Sequence, residues 1–272
     1  MQQFVCRENT YYNDKIYIMG ILNVTPDSFS DGGRFFSLEN AVRQALTMQE
    51  EGADFIDVGA VSTRPGASFV TEEEEVQRLL PVLQALQGKL QIPVSVDTFR
   101  PRVAELALQA GAAVINHVGD YSESMARVIC KYHAGWIAVH TVGDAANAVN
   151  YPQGVVAAVQ DFIDDYHNKA TACGVMPQQL IFDPGFGFAK NTAQNKELLD
   201  NLENLNTHNS FLMTALSRKR FVGELTNVSN PADRLQGTLL YDRIAIEKGS
   251  CILRVHDVKA HKEMTERIFN YG

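Results

Sequence analysis

The residues able to do chemistry in this 272-residue chain sit at or just past the ends of short apolar runs. In chain order they are Asn23; Ser62, Thr63 and Arg64; Asp97; Asn116; His140; Asp183; Ser217, Arg218 and Lys219; and Arg254 with His256. The sharpest local string is Arg254-Val-His256-Asp-Val. Alternate residues of an extended chain share a side, so a guanidinium and an imidazole face one ligand there. An arginine fork beside an imidazole suits a phosphate or pyrophosphate. The plain alternative is Arg254 paired with Asp257 or a neighbouring carboxylate.

Asp183-Pro-Gly-Phe-Gly-Phe188 sets a carboxylate ahead of a turn-forming stretch. Such a carboxylate accepts two N–H donors from a flat heterocycle with an amidine-like edge, as pterins and guanines have. Phe186 and Phe188 either wall that ring or cover core. Ser217-Arg-Lys-Arg220 gathers three cations. A run of this kind is usually a solvated face, but at a strand tip of an acidic chain it reads as binding. Asp97 alone could cap a following helix, and Asn116 and His140 could be satisfied within their loops. What carries weight is the set: two carboxylates, two amides and several cations that one rim would bring together.

A rim requires a particular fold. Eight apolar runs can be marked: Ile16–Leu22, Phe55–Val58, Ile92–Val96, Ala113–Ile115, Trp136–Val139, Leu180–Phe182, Phe211–Ala215 and Ile252–Val255. Their length and β-forming composition predict strands. Helical signals lie between them. Thr71 and Glu74 form a capping box. Val155, Val159, Phe162, Tyr166 and Ala170 make one helical stripe. Asn230-Pro231 is a helix start. Gly52, Gly111, Gly135, Gly174 and Gly249 each follow a helical stretch and precede an apolar run, where a left-handed terminal residue is wanted. Alternating strand and helix implies a parallel sheet covered by helices. Eight such units in this length predict an α/β fold, a single (β/α)8 TIM barrel over residues 1–272, with residues 1–15 an added arm or hairpin. The open doubly wound sheet is the competing architecture, but its glycine-rich turn after the first strand is absent. Loops Val24–Leu38, Ala60–Val70 and Thr141–Gly154 are long for strand-to-helix connections, as substrate-gripping segments tend to be.

Composition narrows the partners. A formal net charge of −8 argues against a general nucleic-acid binder but permits an anionic small molecule where cations gather. The four cysteines form no CxxC pair, which predicts reduced thiols in a cytoplasmic protein. The start of the chain has no signal-peptide pattern, and no apolar run is long enough to span a bilayer.

Six strings together resemble the dihydropteroate synthase family of folate biosynthesis: Gly20-Ile-Leu-Asn-Val-Thr-Pro-Asp-Ser-Phe-Ser-Asp-Gly-Gly33, Ser62-Thr-Arg-Pro-Gly66, Val94-Ser-Val-Asp-Thr98, Asp183-Pro-Gly-Phe-Gly-Phe188, Ser217-Arg-Lys219 and Arg254-Val-His-Asp-Val258. They follow the family's order along nearly the whole chain. The resemblance implies condensation of 6-hydroxymethyl-7,8-dihydropterin diphosphate with 4-aminobenzoate to 7,8-dihydropteroate and pyrophosphate. By position it implies that Asp97, Asn116, Asp183 and Lys219 bind the pterin, and the chemistry of the Asp183 string read above adds Phe188 to the substrate site. It assigns the diphosphate to Arg254, His256 and Thr63, a Mg2+ ligand to Asn23, and the aminobenzoate to Arg64 and its loop. Asp97, Lys219 and Arg254 are then the catalytic residues. It further implies a sulfonamide target, a homodimer and small-molecule partners only.

Four departures from the family pattern stand out. Gly59-Ala-Val-Ser replaces Gly-Gly-Glu-Ser. Asn116-His117 replaces Asn-Asp. Phe188-Ala189-Lys190 replaces Phe-Gly-Lys. Arg220 replaces the Ser that helps bind the aminobenzoate carboxylate, and an arginine there is expected to pair that carboxylate or to fill its pocket. Val61, His117 and Arg220 motivate an alternative, a paralogue that holds a pterin without condensing it. A pterin-dependent methyltransferase barrel is a third reading, against which the Arg254–His256 pair counts.

Overall fold

A computed structural model describes residues 1–24, 33–61, 70–143 and 146–271, with the side chains of 33–37 and 269–271 left out. Ser62, Thr63 and Arg64 therefore lie outside the described residues, as do most of two of the three long loops. The chain opens with two short strands, β1 (Gln3–Cys6) and β2 (Asn9–Tyr12). Every apolar run marked in the sequence is then a strand: β3 (Tyr17–Asn23), β4 (Phe55–Gly59), β5 (Val94–Asp97), β6 (Val114–Val118), β7 (Gly135–Val139), β8 (Leu180–Asp183), β9 (Phe211–Thr214) and β10 (Ile252–Val255). β3 to β10 pair in parallel and in sequence order, and β10 closes the ring on β3. Buried on both faces, these strands read as continuous apolar runs, as parallel strands do.

The helices between them are α1 (Gly33–Glu50), α2 (Glu72–Leu86), α3 (Pro101–Gln109), α4 (Glu123–Tyr132), α5 (Val155–Ala172), α6 (Thr192–Asp200), α7 (Arg220–Thr226), α8 (Leu235–Glu247) and α9 (Val258–Tyr271). The Thr71–Glu74 capping box opens α2 as expected. The α5 stripe is shifted by one position: Ile163 is buried with Val155, Val159, Tyr166 and Ala170, whereas Phe162 is half-buried. Asn230 caps a 3-10 turn, Pro231–Asp233, that leads into α8. Among the described residues no helix is long and apolar enough to cross a membrane. All four cysteines are free thiols.

Polar residues end an apolar run without ending the strand. Gly59, Asp97 and Asn116 remain in the ladder, paired Gly59↔Asp97 and Asp97↔Asn116, and Asn23 pairs with Gly59. β5 starts at Val94 and not at Ile92, because Pro93 has no N–H to give the ladder.

Residues 1–15 form a hairpin that plugs the barrel end where the strands begin. Phe4 packs on Tyr11, Phe55 and Phe211 at ring-centroid distances of 5.9, 6.3 and 6.0 Å. Phe4 and Cys6 join Tyr17, Met19, Ile181 and Ile252 in an inner core, separate from the larger shell between strands and helices. The hairpin also explains the one misread glycine. Gly52, Gly111, Gly174 and Gly249 have φ between 96° and 101°, but Gly135 opens β7, and the left-handed cap of α4 is His133 at φ 49°. A Cβ on Gly135 would stand 2.4 Å from the Phe4 ring, so close approach and not a turn demands glycine there.

Candidate active site

Side chains alternate along each strand, and those on the parity of Tyr17, Phe55 and Ile252 point into the barrel. At the opposite end from the hairpin that parity delivers Asn23, Asp57, Ser95, Asp97, Asn116, Asp183 and Arg254. The Arg254 guanidinium lies 2.7 Å from Asp57 Oδ2 and 3.2 Å from Asp97 Oδ2. It does not pair with Asp257, which is held by Arg218 through two contacts of 2.5 and 3.0 Å. Asp57 also accepts from Ser95 Oγ at 2.6 Å and from Asn116 Nδ2 at 3.0 Å. The other end of that amide, Asn116 Oδ1, is buried and accepts no hydrogen bond among the described residues. Gly59 leaves room at the same level: a Cβ there would be 3.8 Å from Asn23 Oδ1 and 3.9 Å from Asp97 Oδ2.

The loop after β8 is fixed from several sides. Asp183 Oδ1 accepts from the Gly185 N–H at 2.8 Å. A Cβ on Gly185, which has φ 71°, would meet the His140 carbonyl oxygen at 1.8 Å, so only glycine fits. Phe186 is core, stacked on Phe221 at 6.0 Å, and Phe188 is the aromatic left at the rim. Lys219 Nζ donates to the Phe186 carbonyl and lies 4.7 Å from the Phe188 ring centroid. Lys190 is buried against His140 Nδ1 (2.8 Å), Gly185 O (3.0 Å) and Phe188 O (3.2 Å), which matches its three ammonium donors. From the β9 tip, Ser217 Oγ contacts His256 Nδ1 at 2.9 Å and accepts from the His256 backbone N–H at 3.2 Å.

Burial pushes the Asp97 carboxyl up to about 7, against the pull of Arg254. Asp183 is raised by the same cause, opposed first by Lys219. Lys219 is pushed down to about 8 by burial, opposed by Asp183, and Lys190 down to about 7. His140 falls to about 3 through burial and the nearby Lys190. Asp97, Asp183, Lys219 and Arg254 thus share one field: carboxylates able to grip N–H donors stand beside cations able to grip an anion.

Comparison with known proteins identifies the family. The Pterin binding enzyme family model matches residues 19–256. The dihydropteroate synthase of Synechocystis sp. is 41% identical over 253 residues, 92% of this chain and 88% of its own. The chain belongs to the dihydropteroate synthase family. A Xanthomonas albilineans dihydropteroate synthase solved with 4-aminobenzoic acid superposes with a TM-score of 0.93 at 38% identity, covering 99% of this chain and 97% of its own. The Thermus thermophilus enzyme in complex with 6HMPPP gives 0.87 at 36% identity, covering all of both chains. The activity is that of a dihydropteroate synthase, a transferase of an alkyl group other than methyl within folate biosynthesis.

Against the family pattern, the departures fall in different places. His117 follows the inward Asn116 and so turns outward, where its Nδ1 meets the Tyr166 hydroxyl at 2.9 Å and its ring stacks on Trp136 at 6.0 Å. It is part of the outer shell and not of the rim. Ala189 stands where the family has Gly and still takes that left-handed conformation, φ 51°. Arg220 does not fill a pocket: it opens α7 with 73% of its side chain exposed and pairs with Glu224 at 3.4 Å. Of the cation run after β9, only Lys219 enters the site. His140, placed on the rim by its position, is committed to Lys190. Sequence reasoning missed Asp57 and Ser95. The signal was present, since Asp57 is the one charged residue inside the run Phe55–Val58 and shares the inward parity.

Proposed function

We propose that this rim joins 6-hydroxymethyl-7,8-dihydropterin diphosphate to 4-aminobenzoate with Asp97, Lys219 and Arg254 as catalytic residues. Residues 1–272 act as one pterin-binding barrel domain in this reading. Asp97, Asn116, Asp183 and Lys219 hold the pterin edge, and Phe188 lies against its face. Arg254, His256 and Thr63 hold the diphosphate. Arg64 meets the aminobenzoate, whereas Arg220 stays paired with Glu224. The single observation behind this division is the buried cluster in which Arg254 bonds both Asp97 and Asp57 and Asn116 joins at Asp57, with the Asn116 carbonyl oxygen accepting no hydrogen bond among the described residues.

The aminobenzoate nitrogen bonds to the pterin methylene carbon as the C–O bond to the diphosphate breaks. The electron pair leaves with pyrophosphate, and the nitrogen sheds one proton. Arg254 and His256 stabilise the departing anion, while Asp97 and Asp183 stabilise the electron-poor pterin. Arylamine is nucleophilic enough to need no activated side chain, so the residues chiefly orient the partners and exclude water.

Mg2+ belongs to the same proposal. Among the described residues no group of three His, Cys, Asp or Glu could hold a metal. The hard amide oxygen of Asn23 would suit such an ion, and Gly59 leaves that oxygen uncrowded, since a Cβ there would already touch it at 3.8 Å. Bound there, Mg2+ supplies charge neutralisation for the leaving group. Cytoplasmic location, a homodimer and sulfonamide competition rest on the family resemblance. The pterin-holding paralogue loses support at His117, which faces away from the rim, and at Arg220, which is exposed and paired with Glu224.

Titration calorimetry tests the assignment. Asp183→Ala is expected to abolish pterin binding, whereas Arg254→Ala should keep a pterin alcohol and lose the affinity added by its diphosphate. An Arg254→Ala protein that binds pterin diphosphate as tightly as wild type would refute the diphosphate role.

A further inference from the structure

Asp57 is fully buried midway along β4 and, among the described residues, takes three hydrogen bonds, each from a group with a different task. Its Oδ1 accepts from Ser95 Oγ, while Oδ2 accepts from Asn116 Nδ2 and from the Arg254 guanidinium. We propose that Asp57 is a positioning residue that sets both halves of the substrate site at once, turning the Asn116 carbonyl toward the heterocycle and holding Arg254 at the diphosphate. This rests on the division of labour proposed above.

The geometry carries the first half by elimination. A carboxylate offers only acceptors, so the end of the Asn116 amide facing Asp57 must be its NH2. The carbonyl end is then turned away from Asp57, where it is buried and accepts no hydrogen bond among the described residues. A buried acceptor left without a donor is costly, so the site favours a ligand edge that brings an N–H to that point. Were residue 57 unable to accept, the amide could turn over and present NH2 instead. The site would then prefer a bare ring nitrogen. Specificity for the N–H edge is thus written one residue away from the side chain that reads it.

Arg254 supplies the second half. A guanidinium carries five N–H donors in a fixed plane, and the contacts to Asp57 and Asp97 engage only part of them. Asp57 fixes that plane from below and balances the charge inside the barrel, so the remaining donors are aimed before an anion arrives. Preorganised donors of this kind need no rearrangement when charge develops on the leaving group.

Calorimetry on the full chain separates the halves. The affinity for 6-hydroxymethyl-7,8-dihydropterin reads the pterin half. The factor by which its diphosphate binds more tightly, with Mg2+ present, reads the other. Asn116→Ala is expected to lower only the first and Arg254→Ala only the second. Asp57→Ala is expected to lower each by about tenfold or more, as for a lost charged hydrogen bond. Asp57→Asn has the same shape; its carbonyl can face Asn116 and Arg254 while its amide donates to Ser95, so alcohol binding should return close to wild type. Should Asp57→Ala fail to fold, the pair Asp57→Asn with Ser95→Ala replaces it, because the amide loses its anchor and should lose that rescue. A folded variant, Asp57→Ala or the replacement pair, in which either half keeps wild-type strength overturns the role. Wild-type protein that binds neither ligand overturns the division of labour beneath it instead.

Discussion

Before any substrate arrives, the Arg254 guanidinium already has carboxylates 2.7 and 3.2 Å away. A diphosphate must compete with the more exposed of them, Asp97, and the protonation of Asp97 decides how strongly. With its carboxyl near 7 and the Lys219 ammonium near 8, the free enzyme has both groups charged only between those values. Below about 7 Asp97 takes a proton and can no longer accept freely; above about 8 Lys219 loses one. The profile of kcat/KM against pH is therefore expected to be bell-shaped, with limbs near these values, because kcat/KM reports the free enzyme. A flat profile from pH 6 to 9 would contradict it. Lys219→Ala is expected to cost on the order of 2–5 kcal/mol in transition-state stabilisation, as when one side of a buried charge contact is removed. Steady-state kinetics checks this, and an unchanged rate would place Lys219 outside the site. The shared position of these residues was largely legible in the sequence because strand-end residues of a barrel share a rim. Asp57 was not, since it lies in mid-strand and looks like an interruption of an apolar run. Arg218 and Arg220 were overread, since sequence adjacency to Lys219 says nothing of the helix start that turns them to Asp257 and Glu224.

At the scale of elements, the strands were readable because burial on both faces leaves an unbroken apolar signal. Their ends were not, because Asp97 and Asn116 stay in the ladder while breaking that signal. The added hairpin shows the same limit. Nothing in residues 1–15 alone says that Phe4 will seal the barrel, and Gly135 looks like a helix terminator until the ring beside it is seen. Gly135→Ala is expected to destabilise the protein by about 1–3 kcal/mol through overpacking. Thermal unfolding should show a lowered midpoint, partly restored by Phe4→Leu. A midpoint that does not move would mean that the hairpin yields and does not seal.

For the whole molecule, the two ends of the barrel divide the work. One is closed by aromatic packing of Phe4, Tyr17, Phe55 and Phe211, and the other collects nearly every buried charge of the inner face. In the proposed assignment an acidic protein handles a diphosphate because Arg254, His256 and Lys219 stand at one rim, where the overall charge of −8 does not dominate. Barrel closure sets Arg254 beside Met19 in the ladder and its guanidinium against Asp57, although Arg254 stands at the opposite end of the chain from both. The sequence therefore revealed the architecture more fully than the contacts, which depend on strand parity and on what faces each tip. The most direct measurement is pyrophosphate release by the purified protein given pterin diphosphate, 4-aminobenzoate and Mg2+. Steady turnover that Asp183→Ala abolishes is the predicted result, whereas a folded wild-type protein that releases none would contradict the account.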